Sequence, residues 1–121
     1  MGNTDDIVVD FASLRTLAGD DDAFVMALLM KMCSALPLAF TSMQAHTDAQ
    51  DWGALRAAAH KAKSTFAYLS LDDMRNRFKE IEHHASDATN LDSLPQAVEE
   101  AIAMGNKILV ALNAELQRMS G

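Results

Sequence analysis

Along most of the chain, apolar residues recur at three- and four-residue steps, the spacing that gathers them on one face of an α-helix. The C-terminal stripe is the longest: Leu94, Val98, Ala101, Ile102, Gly105, Ile108, Leu109, Leu112 and Leu116. It predicts a helix capped by Asp92 or Ser93, with Pro95 in its first turn, ending near Met119. Upstream, Asp10 can cap a short helix carrying Phe11, Leu14 and Leu17 on one side, which Gly19 ends. The acidic run Asp20, Asp21, Asp22 then suits a helix N-terminus, and a second helix is predicted from about Asp21 to His46. Pro37 lacks a backbone donor and is expected to kink or split that helix. After a polar turn at Asp48 to Asp51, a third helix is predicted to about Leu69, where Ser70 breaks the pattern. A fourth runs from Leu71 to about Ser86 on the stripe Leu71, Met74, Phe78, Ile81, Ala85. A polar loop, Asp87 to Asp92, leads into the last helix.

Four long amphipathic helices with short connections predict an all-α fold: an antiparallel up-down four-helix bundle, with a short extra N-terminal helix over one end. The length of 121 residues fits one domain, with a core of about 10–119 and residues 1–9 as a loosely ordered N-terminal tail. The formal net charge of −7 argues against nucleic-acid binding, which needs a basic face. Cys33 is the single cysteine, so no intramolecular disulfide can form, and its apolar setting reads as core. The acidic N-terminus does not resemble a signal peptide, and Gly2 lacks the hydroxyl residue at position six that myristoylation needs, Asp6 standing there instead. Ala23 to Phe40 is nearly all apolar and close to the length of a membrane span. Lys31, Pro37, Cys33 and Ser34 interrupt it, so a helix buried in a soluble bundle is expected, without membrane insertion, in a cytoplasmic monomer.

The third helix carries the most informative geometry. With each residue advancing about 100°, Leu69 lies about 180° from His60, Ala58 and Ala62 within about 20° of Leu69, and Leu55 and Phe66 within about 60°. The apolar stripe is therefore predicted opposite the histidine. Gly53, Arg56, Lys63, Ser64 and Ala67 share His60's own side, while Lys61 points about 100° away. A surface histidine by itself is ordinarily incidental; the residues around this one are not.

The run Ala59-His60-Lys61-Ala62-Lys63-Ser64-Thr65 resembles the motif of histidine-phosphotransfer (HPt) domains, commonly Ala-His-x-Leu-Lys-Gly-Ser. The Ala-His pair, the lysine three residues on and the hydroxyl two beyond it match. Leu36-Pro37, Asp51-Trp52 with Leu55, and downstream Leu69, Leu71 and Ile81-Glu82 extend the similarity, from about Phe24 to Leu116. Ala62 departs from the usual Leu, and Ser64 and Ser70 stand where glycine is common. The resemblance implies that Nε2 of His60 takes a phosphoryl group from a receiver-domain aspartate and passes it to another, within two-component signalling. The implied partners are response-regulator receiver domains and a hybrid sensor histidine kinase. The receiver would bring Mg²⁺, and this chain would need no cofactor of its own. No glycine-rich nucleotide motif is present, so the chain is expected to be a carrier and not a kinase. In that role Lys63 would offset phosphoryl charge, and Ser64 would either donate a hydrogen bond to the phosphoryl group or simply keep the surface low.

Glu82 enters from geometry. If the third and fourth helices turn near Ser70, His60 lies ten residues before the turn and Glu82 twelve after, so the two share a height at about 1.5 Å per residue. Glu82 borders the core stripe and would reach Nδ1–H of His60, fixing the tautomer that leaves Nε2 as nucleophile; a plain surface ion pair fits the same position. Lys79, at a similar height, is a weaker phosphate candidate. His83 and His84 point about 100° apart and have no cysteine or His-Glu-x-x-His companion, which argues against a metal site. The eight methionines read as core filling. A non-catalytic helical docking or inhibitory module, binding a kinase or response regulator, is the alternative function.

Overall fold

The computed structural model describes residues 8–121. Five helices follow in order: α1 (Ala12–Leu17), α2 (Asp22–Asp48), α3 (Trp52–Tyr68), α4 (Asp72–Asp87) and α5 (Leu94–Ser120). Each long helix packs on its neighbour in sequence, α5 returns against α2, and α1 rests on α2 and α3, which makes an all-helical bundle with a closed ring of four. Val9 packs against the core, so the predicted tail is anchored by its last residue; residues 1–7 of it lie outside the described residues.

Two of the polar signals cap as expected: Asp21 accepts from the backbone N–H of Ala23 and Phe24, and Asp51 from that of Ala54. Asp10 does not take the N-cap of α1, which falls to Phe11 without a side-chain cap; from one residue further out it accepts from the Ala12 N–H at 3.0 Å. Ser93 takes the N-cap position of α5 but does not cap it; its hydroxyl donates to the Asn90 carbonyl instead, at 3.1 Å. Pro37 does not split α2, which is continuous from Asp22 to Asp48. The tight connections after α2 and α3 close alike: Asp51 N–H bonds the His46 carbonyl at 2.8 Å, and Leu71 N–H bonds the Phe66 carbonyl at 2.9 Å. Each needs one left-handed residue at the helix end, and here these are Gln50 (φ 55°) and Ser70 (φ 56°).

The core stripes are Val25, Leu29, Leu36, Phe40 and Met43 on α2, Leu55, Ala59, Ala62 and Phe66 on α3, Met74, Phe78, Ile81 and Ala85 on α4, and Leu94, Val98, Ala101, Ile108 and Leu112 on α5. Phe78 joins the helices at the centre, its ring 4.9 Å from that of Phe66 and 6.4 Å from that of Phe40. Phe40 in turn covers Gly105, where an added Cβ would stand 2.4 Å from the ring, so α2 and α5 approach closely because this position has no side chain.

On α2 the expectation of a buried helix is only partly met. It is the one described helix long and apolar enough to cross a membrane, yet just 28% of its most apolar stretch is buried in the bundle. Phe24, Met30 and Leu38 face outward. The cause is that the apolar residues of α2 spread over more of its circumference than α3, α5 and the short α1 cover.

Candidate functional site

The face of α3 is set by which alanine goes inside. Ala59 is fully buried and Ala58 only half-buried, so the core stripe centres nearer 220–230° from His60 than the 180° of a simple projection (about 100° per residue). This small rotation carries Lys63 to the α4 border, where its side chain is 25% exposed, and leaves the His60 ring 63% exposed. On α4, Glu82 follows Ile81 at the edge of the stripe and is drawn partly inside, its side chain 18% exposed.

These three side chains meet. Nδ1 of His60 lies 2.7 Å from Oε2 of Glu82, and Nζ of Lys63 donates to Oε1 of the same carboxylate at 2.8 Å. Opposite a carboxylate, Nδ1 is the nitrogen that carries the proton in the neutral ring, so Nε2 is left with its lone pair facing outward. Partial burial alone would raise the Glu82 pKa, but the hydrogen bonds and positive charges of Lys63 and His60 prevail and hold it below its ordinary value of 4.5. The site is thus an exposed imidazole with a carboxylate held against Nδ1 and an ammonium one turn on.

The other candidates fall differently. Ser64 is exposed beside His60, but its hydroxyl donates to the Lys61 carbonyl at 3.1 Å. Ser70 sits 2.6 Å from Ser13 through their hydroxyl oxygens, tying α1 to the α3–α4 turn. Lys79 is exposed on α4 and has no ion partner among the described residues. His83 lies 3.3 Å from Asp87, and His84 bonds Thr89 at 2.9 Å, so the adjacent histidines serve different partners. No group of three or more metal-ligating side chains occurs among the described residues.

A model of the Hpt domain matches residues 26–121 of the sequence. The chain belongs to the Hpt domain family. Membership carries a phosphotransfer role in two-component signalling, and Hpt domains act as phosphotransfer carriers and not as kinases. Receiver domains and histidine kinases are the family's interaction partners, and its members are typically soluble. No curated protein and no solved structure matches the chain.

Two features of the site were not anticipated from the sequence. The first is that Lys63 and His60 share one carboxylate; helix phase would have shown it only with the rotation of α3 known. The second is an apolar groove of about 760 Å³ between α2 and α3, with Leu14 and Leu17 of α1 also in its lining, reaching Ser64 and Lys61 beside the histidine and presenting Phe24, Leu28, Leu38 and Tyr68. Its signal lay in α2, whose apolar residues are too many for one buried stripe.

Proposed function

We propose that this Hpt domain relays a phosphoryl group between receiver-domain aspartates through Nε2 of His60. The observation that carries the reading is the 2.7 Å contact of Nδ1 with Glu82 on a ring that is 63% exposed. The Nε2 lone pair attacks the phosphorus of a receiver's aspartyl phosphate. The Nε2–P bond forms as the P–O bond to the aspartate breaks, and the aspartate leaves as a carboxylate. No proton has to move, because the phosphorylated ring keeps Nδ1–H. Its positive charge then faces the Glu82 carboxylate, which stabilises the intermediate. The reverse step at a second receiver restores the neutral ring.

Lys63 steadies Glu82 in the resting site and lies within a turn of the transferred group, where an ammonium offsets phosphoryl charge. Ser64 supplies a low polar surface beside the ring, and its hydroxyl needs only to rotate away from the Lys61 carbonyl to donate to a phosphoryl oxygen. The receiver contributes the Mg²⁺, a hybrid sensor histidine kinase feeds the relay, and the domain works as a cytoplasmic monomer without a cofactor of its own.

The test is direct. Incubation with a phosphorylated receiver should give acid-labile, base-stable label on the wild type and none on His60→Gln. Label that survives in His60→Gln, or none on the wild type with a broad panel of receivers, would leave the docking module as the better account.

A further inference from the structure

In a chain of net charge −7, the acidic residues are not spread evenly. Neither Ala23 to Thr47 of α2 nor any part of α3 contains an Asp or Glu, whereas α3 alone carries Arg56, Lys61 and Lys63. Five of the ten lysines and arginines pair with carboxylates: Arg15 with Asp22, Lys63 with Glu82, Arg75 with Asp72, Arg77 with Glu100 and Arg118 with Glu115. Lys31, Arg56, Lys61 and Lys79 have no ion partner among the described residues, and all but Lys79 lie on α2 and α3. Two of them, Lys31 and Lys61, are exposed and line the groove beside His60, which has no carboxylate in its lining. The groove otherwise presents Phe24, Leu28, Leu38 and Tyr68. Such a surface fits an apolar ridge bearing carboxylates, and it repels a basic one.

From this we infer that Lys31 and Lys61 determine which receivers the domain accepts, by pairing with carboxylates on a receiver surface whose apolar ridge fills the α2–α3 groove. The inference rests on the relay reading above. The phosphoryl donor is itself an aspartate, so receiver carboxylates come close to His60 at transfer. The α2–α3 groove beside the histidine meets them with two lysines and no carboxylate of its own. The two lysines thus steer the encounter and fix its orientation, while Glu82 and Lys63, on the α4 side of the histidine, remain with the chemistry.

The experiment compares the wild type, Lys31→Glu/Lys61→Glu and Arg77→Glu, the last a charge reversal on the opposite α4–α5 side. All sites are exposed, and circular dichroism checks that each variant folds. Each is labelled in two ways: by phosphoramidate, a small donor that needs no docking, and by the receiver that labels wild type fastest. The double reversal should keep its phosphoramidate rate within about twofold while receiver transfer falls by about 10- to 100-fold at low ionic strength. Its rate should also stop declining with added salt, as the wild-type rate does. An unchanged receiver rate, or an equal loss in Arg77→Glu, overturns the assignment of partner choice to the lysine pair and leaves the relay intact. Failure of both donors to label His60 overturns the relay reading, and the inference with it.

Discussion

The Glu82 carboxylate ties α4 to two side chains of α3 at once, with Oε2 2.7 Å from Nδ1 of His60 and Oε1 2.8 Å from Nζ of Lys63. Its effect on the imidazole is a choice of tautomer, because a carboxylate facing Nδ1 favours the ring with the proton there. In Glu82→Ala the preference is lost. Nitrogen NMR of the neutral ring should then show the Nε2–H form growing at the expense of Nδ1–H, and receiver-dependent labelling should slow by about tenfold, equivalent to ~1.4 kcal/mol in the barrier. Glu82→Gln, which can still accept at Nδ1–H through its amide oxygen, should recover the tautomer but only part of the rate. A wild-type ring found mainly as Nε2–H would contradict the mechanism.

The same carboxylate gives the fold a pH dependence of known sign. Partial burial opposes ionisation of Glu82, but Lys63 and His60 together lower its pKa below 4.5. A group whose pKa is depressed by folding adds stability above its unfolded value and loses it as pH falls through the folded one. Stability should therefore decline on acidification below about pH 4.5, and less steeply in Glu82→Gln. Chemical denaturation at stepped pH measures both slopes, and identical slopes would show that Glu82 is not coupled to folding. Carbon NMR of the Glu82 carboxyl should place its midpoint on the acid side of 4.5.

Much of this was legible in the sequence because short-range rules govern a bundle. The period of Leu94, Val98, Ala101, Ile108 and Leu112 defines the core side of α5 whatever it packs on. The shared height of His60 and Glu82 follows from rise per residue and one turn at Ser70. What escaped depended on neighbours. Ala58 and Ala59 are both small and apolar, so nothing local decides which goes inside, and the burial of Ala59 is what brings Lys63 to Glu82. The exposed side of α2 escaped because its composition resembles that of a fully buried helix; nothing local marks which of its apolar residues lack a neighbour. Ser93 reads as a cap, yet its αR backbone (φ −96°, ψ −8°) places its hydroxyl toward the Asn90 carbonyl instead.

Gly105 should be the least replaceable small residue in the core. An added Cβ would meet three atoms of the Phe40 ring, at 2.4, 2.9 and 3.0 Å, and that ring is itself held near Phe78. Relief requires either a shifted ring or a wider gap between α2 and α5, and overpacking of this kind costs about 1–3 kcal/mol. The helix propensity gained from alanine returns at most ~1 kcal/mol. Gly105→Ala should therefore lower the denaturation midpoint, whereas Gly105→Ala combined with Phe40→Leu should lose less than the two single changes summed. Strict additivity would indicate that the contact is not strained by the added methyl.

Two left-handed residues offer a contrast in how a turn is tolerated. Ala88 ends α4 at φ 54°, ψ 44°, exposed, with no side-chain hydrogen bond to offset the Cβ crowding of that conformation. Ser70 has nearly the same φ, 56°, but its hydroxyl lies 2.6 Å from that of Ser13. The left-handed conformation costs a non-glycine residue about 1–2 kcal/mol, and glycine adds unfolded-state entropy of about 0.5–1 kcal/mol. Ala88→Gly should thus stabilise the domain by up to about 1 kcal/mol. Ser70→Gly gains the same backbone relief but gives up a hydrogen bond of about 0.5–1.5 kcal/mol, and should come out near neutral. In a Ser13→Ala background that bond is already gone, so Ser70→Gly should become as stabilising as Ala88→Gly. Equal effects of Ser70→Gly in both backgrounds would mean that the serine pair adds nothing to the fold.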